Sequence, residues 1–153
     1  MTTPTASSTS DQQVEEVLAN FVELVSAWSS PRVQGQIARQ TGLDINEGDV
    51  RTLHTLGRIG GSVRPAQLAL DLHLSRPTMS KSLARLLAAG LVERTAVAGD
   101  RRATDISLTP SGARAYQGLI DAGTAMVRDA LRLAPGIDTN SIVQFTRALG
   151  ATI

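Results

Sequence analysis

Between Leu74 and Gly90 the chain reads Leu-Ser-Arg-Pro-Thr-Met-Ser-Lys-Ser-Leu-Ala-Arg-Leu-Leu-Ala-Ala-Gly. Met79, Leu83, Leu86 and Leu87 stand at offsets 0, 4, 7 and 8, one apolar stripe of a helix. Left outside that stripe are Arg76, Thr78, Ser80, Lys81, Ser82 and Arg85. These are hydroxyls and cations, the groups that bond base edges and phosphates in a major groove. The start of such a helix adds unpaired N–H groups and a positive dipole end, both suited to a phosphate. Further on, Ala98-Gly99-Asp100-Arg101-Arg102-Ala103 has turn chemistry and two adjacent arginines. Neighbouring arginines repel, so a hairpin gains nothing structurally from such a tip. An arginine tip can instead enter a minor groove, where the potential is most negative. Asp100 reads as a partner that orients an arginine, not as a catalytic acid.

The elements that would position these groups follow from period and punctuation. Pro65 opens a short helix carrying Leu68, Ala69 and Leu72, with Gln67 placed to reach back towards its start. His73-Leu74 breaks it, and Ser75 caps the next helix, which ends at Gly90. Leu91 to Val97 and Thr104 to Thr109 read as two short strands joined by the arginine loop. Two short helices, a tight turn and a β-hairpin make the order of a winged helix-turn-helix. Upstream, residues 1–10 read as a disordered tail. Val14, Val17, Leu18, Phe21, Leu24, Val25 and Trp28 form one stripe of a helix from Asp11 to about Trp28. A second helix runs from Pro31 to about Arg39, and Asp49 looks like the cap of a third that stops at Gly60-Gly61. Thr109-Pro110 opens a long helix ended by Pro135-Gly136, and a last one carries Ile142, Phe145 and Leu149. The expected fold is therefore mainly α with a small β-hairpin. Its parts are N-terminal helices over 11–48, a winged lobe over 49–112 and C-terminal helices over 113–153.

At 153 residues, 42% of them hydrophobic, the chain can bury one core. It has no cysteine, which removes disulfides, thiolate metal sites and thiol switches together. No signal peptide or membrane-length apolar run is legible, so a cytoplasmic location is expected. The net charge is only +1, but it is unevenly spread. From Ser75 to Arg114 seven basic residues stand against three acidic ones, the distribution of a phosphate-facing surface in a nearly neutral protein.

Two rivals compete with a DNA-reading lobe. An enzyme lacks support, since there is no glycine-rich phosphate loop, nucleophile elbow, zinc-binding helix motif or Cys-His pair. A winged-helix module for protein contacts would keep the fold but not the cations at Arg76, Lys81, Arg85 and Arg102. His54 and His73 have no further ligand at metal spacing, so no metal is expected. His54, among Leu53, Leu56 and Ile59, reads as a partly buried, hydrogen-bonded core residue.

The sequence resembles the MarR family of bacterial regulators. The resemblance rests on Arg64-Pro-Ala-Gln-Leu-Ala, Leu-Ser-Arg-Pro-Thr-Met-Ser-Lys, Gly-Leu-Val-Glu-Arg94 and Gly-Asp-Arg-Arg-Ala-Thr-Asp-Ile-Ser-Leu-Thr-Pro-Ser-Gly112. It implies a homodimer whose first and last helices interlock, binding double-stranded DNA at a palindromic operator, usually as a repressor. Recognition helices in such a dimer lie roughly 34 Å apart. Base and phosphate contacts would fall on Ser75, Arg76, Pro77, Thr78, Ser80, Lys81 and Arg85. Wing contacts would fall on Arg101 and Arg102, with Asp100 holding one and Arg102 favoured for the minor groove. Arg64 replaces the small hydroxyl cap of many relatives and gains reach towards the phosphates. The resemblance also implies a small aromatic or anionic effector, for which the sequence offers only Trp28, Arg51, His54 and Arg58.

Overall fold

The computed structural model describes the backbone of residues 6–28, 30–40, 42, 45–97 and 100–152, and for 6–9, 34, 38, 40, 47, 97 and 100–103 the backbone alone. The elements run α1 (Ala6–Trp28), α2 (Pro31–Gln40), α3 (Glu47–Ile59), β1 (Ser62–Val63), α4 (Pro65–Asp71), α5 (Arg76–Ala88), β2 (Val92–Val97), β3 (Asp100–Leu108), α6 (Pro110–Leu133) and α7 (Thr139–Gly150). The helices end where the sequence punctuates them. Ser75 caps α5 by accepting from the Thr78 N–H at 3.3 Å. Thr109 caps α6 by accepting from the Gly112 N–H at 3.0 Å, with Pro110 behind it where no N–H is needed.

Several expectations need correction. Ala6–Ser10, read as part of a disordered tail, are the first turns of α1, while residues 1–5 lie outside the described residues. The cap of α3 is Asn46, whose Oδ1 accepts from the Asp49 N–H at 3.0 Å; Asp49 lies inside the helix and is buried. Gln67 does not reach back to the start of α4, because its amide donates forward to Asp71 at 2.8 Å. Arg64 precedes that helix with no side-chain cap bond.

The hairpin is also larger than expected. Ser62–Val63 pairs with Ile106 and Ser107, giving a three-stranded antiparallel sheet of order β1-β3-β2. The strand β3 starts at Asp100, so Arg101, Arg102 and Ala103 belong to it and not to a loop, and the register slips between Ala96 and Val97.

The core lies under this sheet. Leu53 and Leu56 of α3, Leu68 of α4, Met79 and Leu86 of α5 and Ile106 of β3 are almost wholly buried. Burying side chains of this size contributes about 1.5–3 kcal/mol each, so these few contacts hold the lobe together. The join to α6 is equally tight. A Cβ on Gly112 would run into the Leu91 carbonyl, and the Thr109 hydroxyl donates to the Gly90 carbonyl at 2.7 Å. Only glycine lets the first turn of α6 approach that close.

Candidate nucleic-acid interface

The helix-turn-helix is made by α4 and α5. The turn between them is closed by Leu74 N–H donating to the Ala69 carbonyl at 2.8 Å, with His73 in a left-handed conformation at φ 53°. Met79, Leu83 and Leu86 seat α5 on the core. That orientation leaves Arg76, Pro77, Thr78, Ser80 and Lys81 exposed along one side, as their types predict. The Ser75 and Thr78 hydroxyls stand 2.8 Å apart, so part of their hydrogen-bonding capacity is spent on each other. Gly90, at φ 69°, then turns the chain from α5 into the sheet. Asp100, Arg101 and Arg102 open β3 beside it, and their side chains lie outside the described residues. Arg64 is exposed where β1 meets α4.

Two residues of the expected face have other roles. Ser82 is not outside but buried, because at three residues after Met79 and four before Leu86 it shares their side of the helix. Its hydroxyl donates to Asp49 Oδ1 at 2.6 Å and lies 3.0 Å from the Thr52 hydroxyl. Arg85 is committed to the same carboxylate. Its Nε donates to Asp49 Oδ2 at 2.7 Å and its Nη2 to Oδ1 at 2.8 Å. The Asp49 carboxylate holds the guanidinium more firmly charged than usual, first through this hydrogen bond and also through its charge. A paired fork of this kind fixes direction as well as distance. Asp49, Thr52, Ser82 and Arg85 thus lock α5 to α3. The sequence signal was present only as an acid and a hydroxyl more than thirty residues apart.

Away from this face a concavity lies between α1, α2, α3 and α6. It has a volume of about 530 Å³ and is lined by Trp28, Ile37, Arg51, His54, Leu119 and Val127 among others. Trp28 reaches across it towards Gly123. His54 lies on its wall, only partly covered, edge-on to Tyr116 with ring centroids 5.7 Å apart, and so more open to solvent than a core residue. Partial burial, then the charge of Arg58, lowers its pKa from the usual 6.5. Among the described residues no group of three or more His, Asp or Glu could hold a metal, and no helix is long and apolar enough to cross a membrane.

The arrangement defines a winged helix-turn-helix protein. Residues 41–103 match the model of the MarR family. No curated protein matches the chain. Solved structures do, at low identity and over nearly their whole length. Streptococcus pneumoniae FabT in complex with DNA is 22% identical, with TM-score 0.66, covering 92% of this chain and 93% of its own. RV1404 of Mycobacterium tuberculosis is 20% identical, with TM-score 0.66 and coverages of 99% and 94%. A mutant of Staphylococcus aureus MepR bound to an oligodeoxyribonucleotide is 22% identical, with TM-score 0.61 and coverages of 88% and 94%.

Proposed function

We propose that this chain is a sequence-specific DNA-binding transcription regulator. It acts as a homodimer on a palindromic operator, represses, and is released by a small effector. The observation that carries the reading is the division of α5. Four buried residues, Met79, Ser82, Leu83 and Leu86, anchor it, and Arg76, Thr78, Ser80 and Lys81 line its exposed side next to an arginine-bearing wing. Base edges in a major groove are read by such side chains, while phosphate contacts hold the register. Arg64, Ser75, Pro77, Asp100, Arg101 and Arg102 complete the proposed contact set. Two structures of the same fold, FabT and MepR, were solved with DNA.

The dimer is supported by faces the single chain leaves bare. Val14 and Leu18 of α1 are 65% and 64% exposed, and Val143 and Phe145 of α7 are also open to solvent. Phe21 and Phe145 already meet edge-to-face at 5.6 Å, so α1 and α7 form one continuous apolar surface. Contiguous apolar surface of that kind marks an interface. The effector reading rests on the Trp28–His54 cavity, whose size suits a drug-sized molecule and whose Arg51 suits an anion. A ligand preferring one spacing of the two lobes would lower DNA affinity by its differential affinity for the two shapes.

Fluorescence anisotropy with the chain's own upstream duplex and a scrambled one, at several salt concentrations, tests the DNA reading. A steep salt slope and a preference of about 10³ or more for the operator are expected. No binding to any duplex at low salt would overturn it. Sedimentation of the wild type and Leu18→Glu tests the dimer: the variant should sediment as a monomer.

A further inference from the structure

Between α5 and the sheet lies a cleft of about 410 Å³ whose chemistry is divided. Met79, Leu83 and Ile106, all buried, make an apolar floor. Arg76 and Ser80 stand on the α5 wall, Arg94 and Thr104 on the strand wall. Arg94 sits on β2 opposite Ile106 and is exposed. Among the described residues its guanidinium has no ion-pair or hydrogen-bond partner.

Alternation along β2 puts Arg94 on the same face as Val92, which is 3% exposed in the core. A residue chosen for packing at that place would be apolar and would extend the floor over Met79 and Leu83. A charged guanidinium with no partner among the described residues, facing a second arginine across an apolar floor, is instead fitted to an anion that carries a hydrocarbon body. The cleft lies between the helix read into a major groove and the wing read into the adjoining minor groove. A duplex seated on both must lay its backbone across this gap.

We propose that the cleft seats one sugar–phosphate unit of the DNA backbone, the deoxyribose on the apolar floor and the phosphate between Arg94 and Arg76. Arg94 is then a DNA contact that the exposed face of α5 does not reveal. The inference rests on the DNA-binding reading above and names a partner group for one part of that surface.

The test is a salt titration of the full-length wild type, Arg94→Ala and Arg128→Ala on the upstream and scrambled duplexes. Arg128, exposed on α6, controls for the loss of one positive charge elsewhere. Arg94→Ala should weaken both duplexes by the same factor and reduce the log–log salt slope by about 1. Its loss of affinity between 50 and 200 mM salt is then roughly fourfold smaller than that of the wild type. Arg128→Ala should keep the wild-type slope, and all three proteins should melt together. Wild-type binding with an unchanged slope in Arg94→Ala overturns the assignment while leaving the DNA reading intact. So does a loss confined to the upstream duplex, which would make Arg94 a base reader. A wild type that binds neither duplex overturns both.

Discussion

Asp49 and Arg85 share two hydrogen bonds, but the carboxylate bears nearly all the burial: its side chain is 1% exposed against 48% for the guanidinium. Removing the arginine therefore leaves a buried charge with the Ser82 hydroxyl as its one remaining side-chain partner among the described residues. Arg85→Ala should cost about 2–3 kcal/mol, below the value for a fully buried pair because water already reaches the guanidinium. Urea unfolding checks this. A loss under about 0.5 kcal/mol would mean that the carboxylate is adequately solvated without Arg85.

Lys81 and Arg76 should behave in the opposite way. They are exposed, with no partner among the described residues, and lie on the α5 face proposed for DNA. Lys81→Ala and Arg76→Ala should leave stability within about 0.5 kcal/mol of the wild type. Operator affinity should fall several-fold. Parallel melting and anisotropy measurements separate these positions from Arg85, which a charge count alone cannot do.

Gly112→Ala should be among the most damaging single-methyl additions in the chain. The new carbon meets backbone, the Leu91 carbonyl, and not a side chain that can rotate away. A loss of about 3 kcal/mol or more is expected, since α6 must shift or the Thr109 cap must open. Calorimetry of the variant checks it. An unchanged melting temperature would mean that the first turn of α6 is free to move.

His54 should make stability depend on pH on the acid side. Its pKa is lowered in the fold, by burial first and by Arg58 second. Between that lowered value and about 6.5 the unfolded chain binds more protons, so stability falls as pH drops through this window and is restored above it. His54→Asn should lose less melting temperature than the wild type between about pH 7.5 and 5.5. Equal losses would place the acid sensitivity elsewhere.

The helices of the winged lobe were legible because their signals are local. Ser75, Gly90 and Thr109-Pro110 act within one turn of their own position, and the stripe from Met79 to Leu86 needs no knowledge of its partner. What escaped was tertiary. Two residues, Ser62 and Val63, are too few to show a strand's alternation, and only pairing with Ile106 and Ser107 makes them one. Asp49 follows a turn and so looks like a cap, and its real partner stands 36 residues away. The polarity of Ser82 argues for the surface, but its period puts it inside, where Asp49 accepts its hydrogen bond.

The Thr109 hydroxyl joins the end of α5, through Gly90, to the first turn of α6, through Gly112. Lobe and helix are thereby pinned at one end of a 24-residue rod about 36 Å long. Such a rod is a lever. A tilt of roughly 3° at its far end carries the pinned end through about 2 Å, enough to break a hydrogen bond to a base. Bulk added around Gly123, midway along the rod and against Trp28, would therefore be felt at α5 without any contact there.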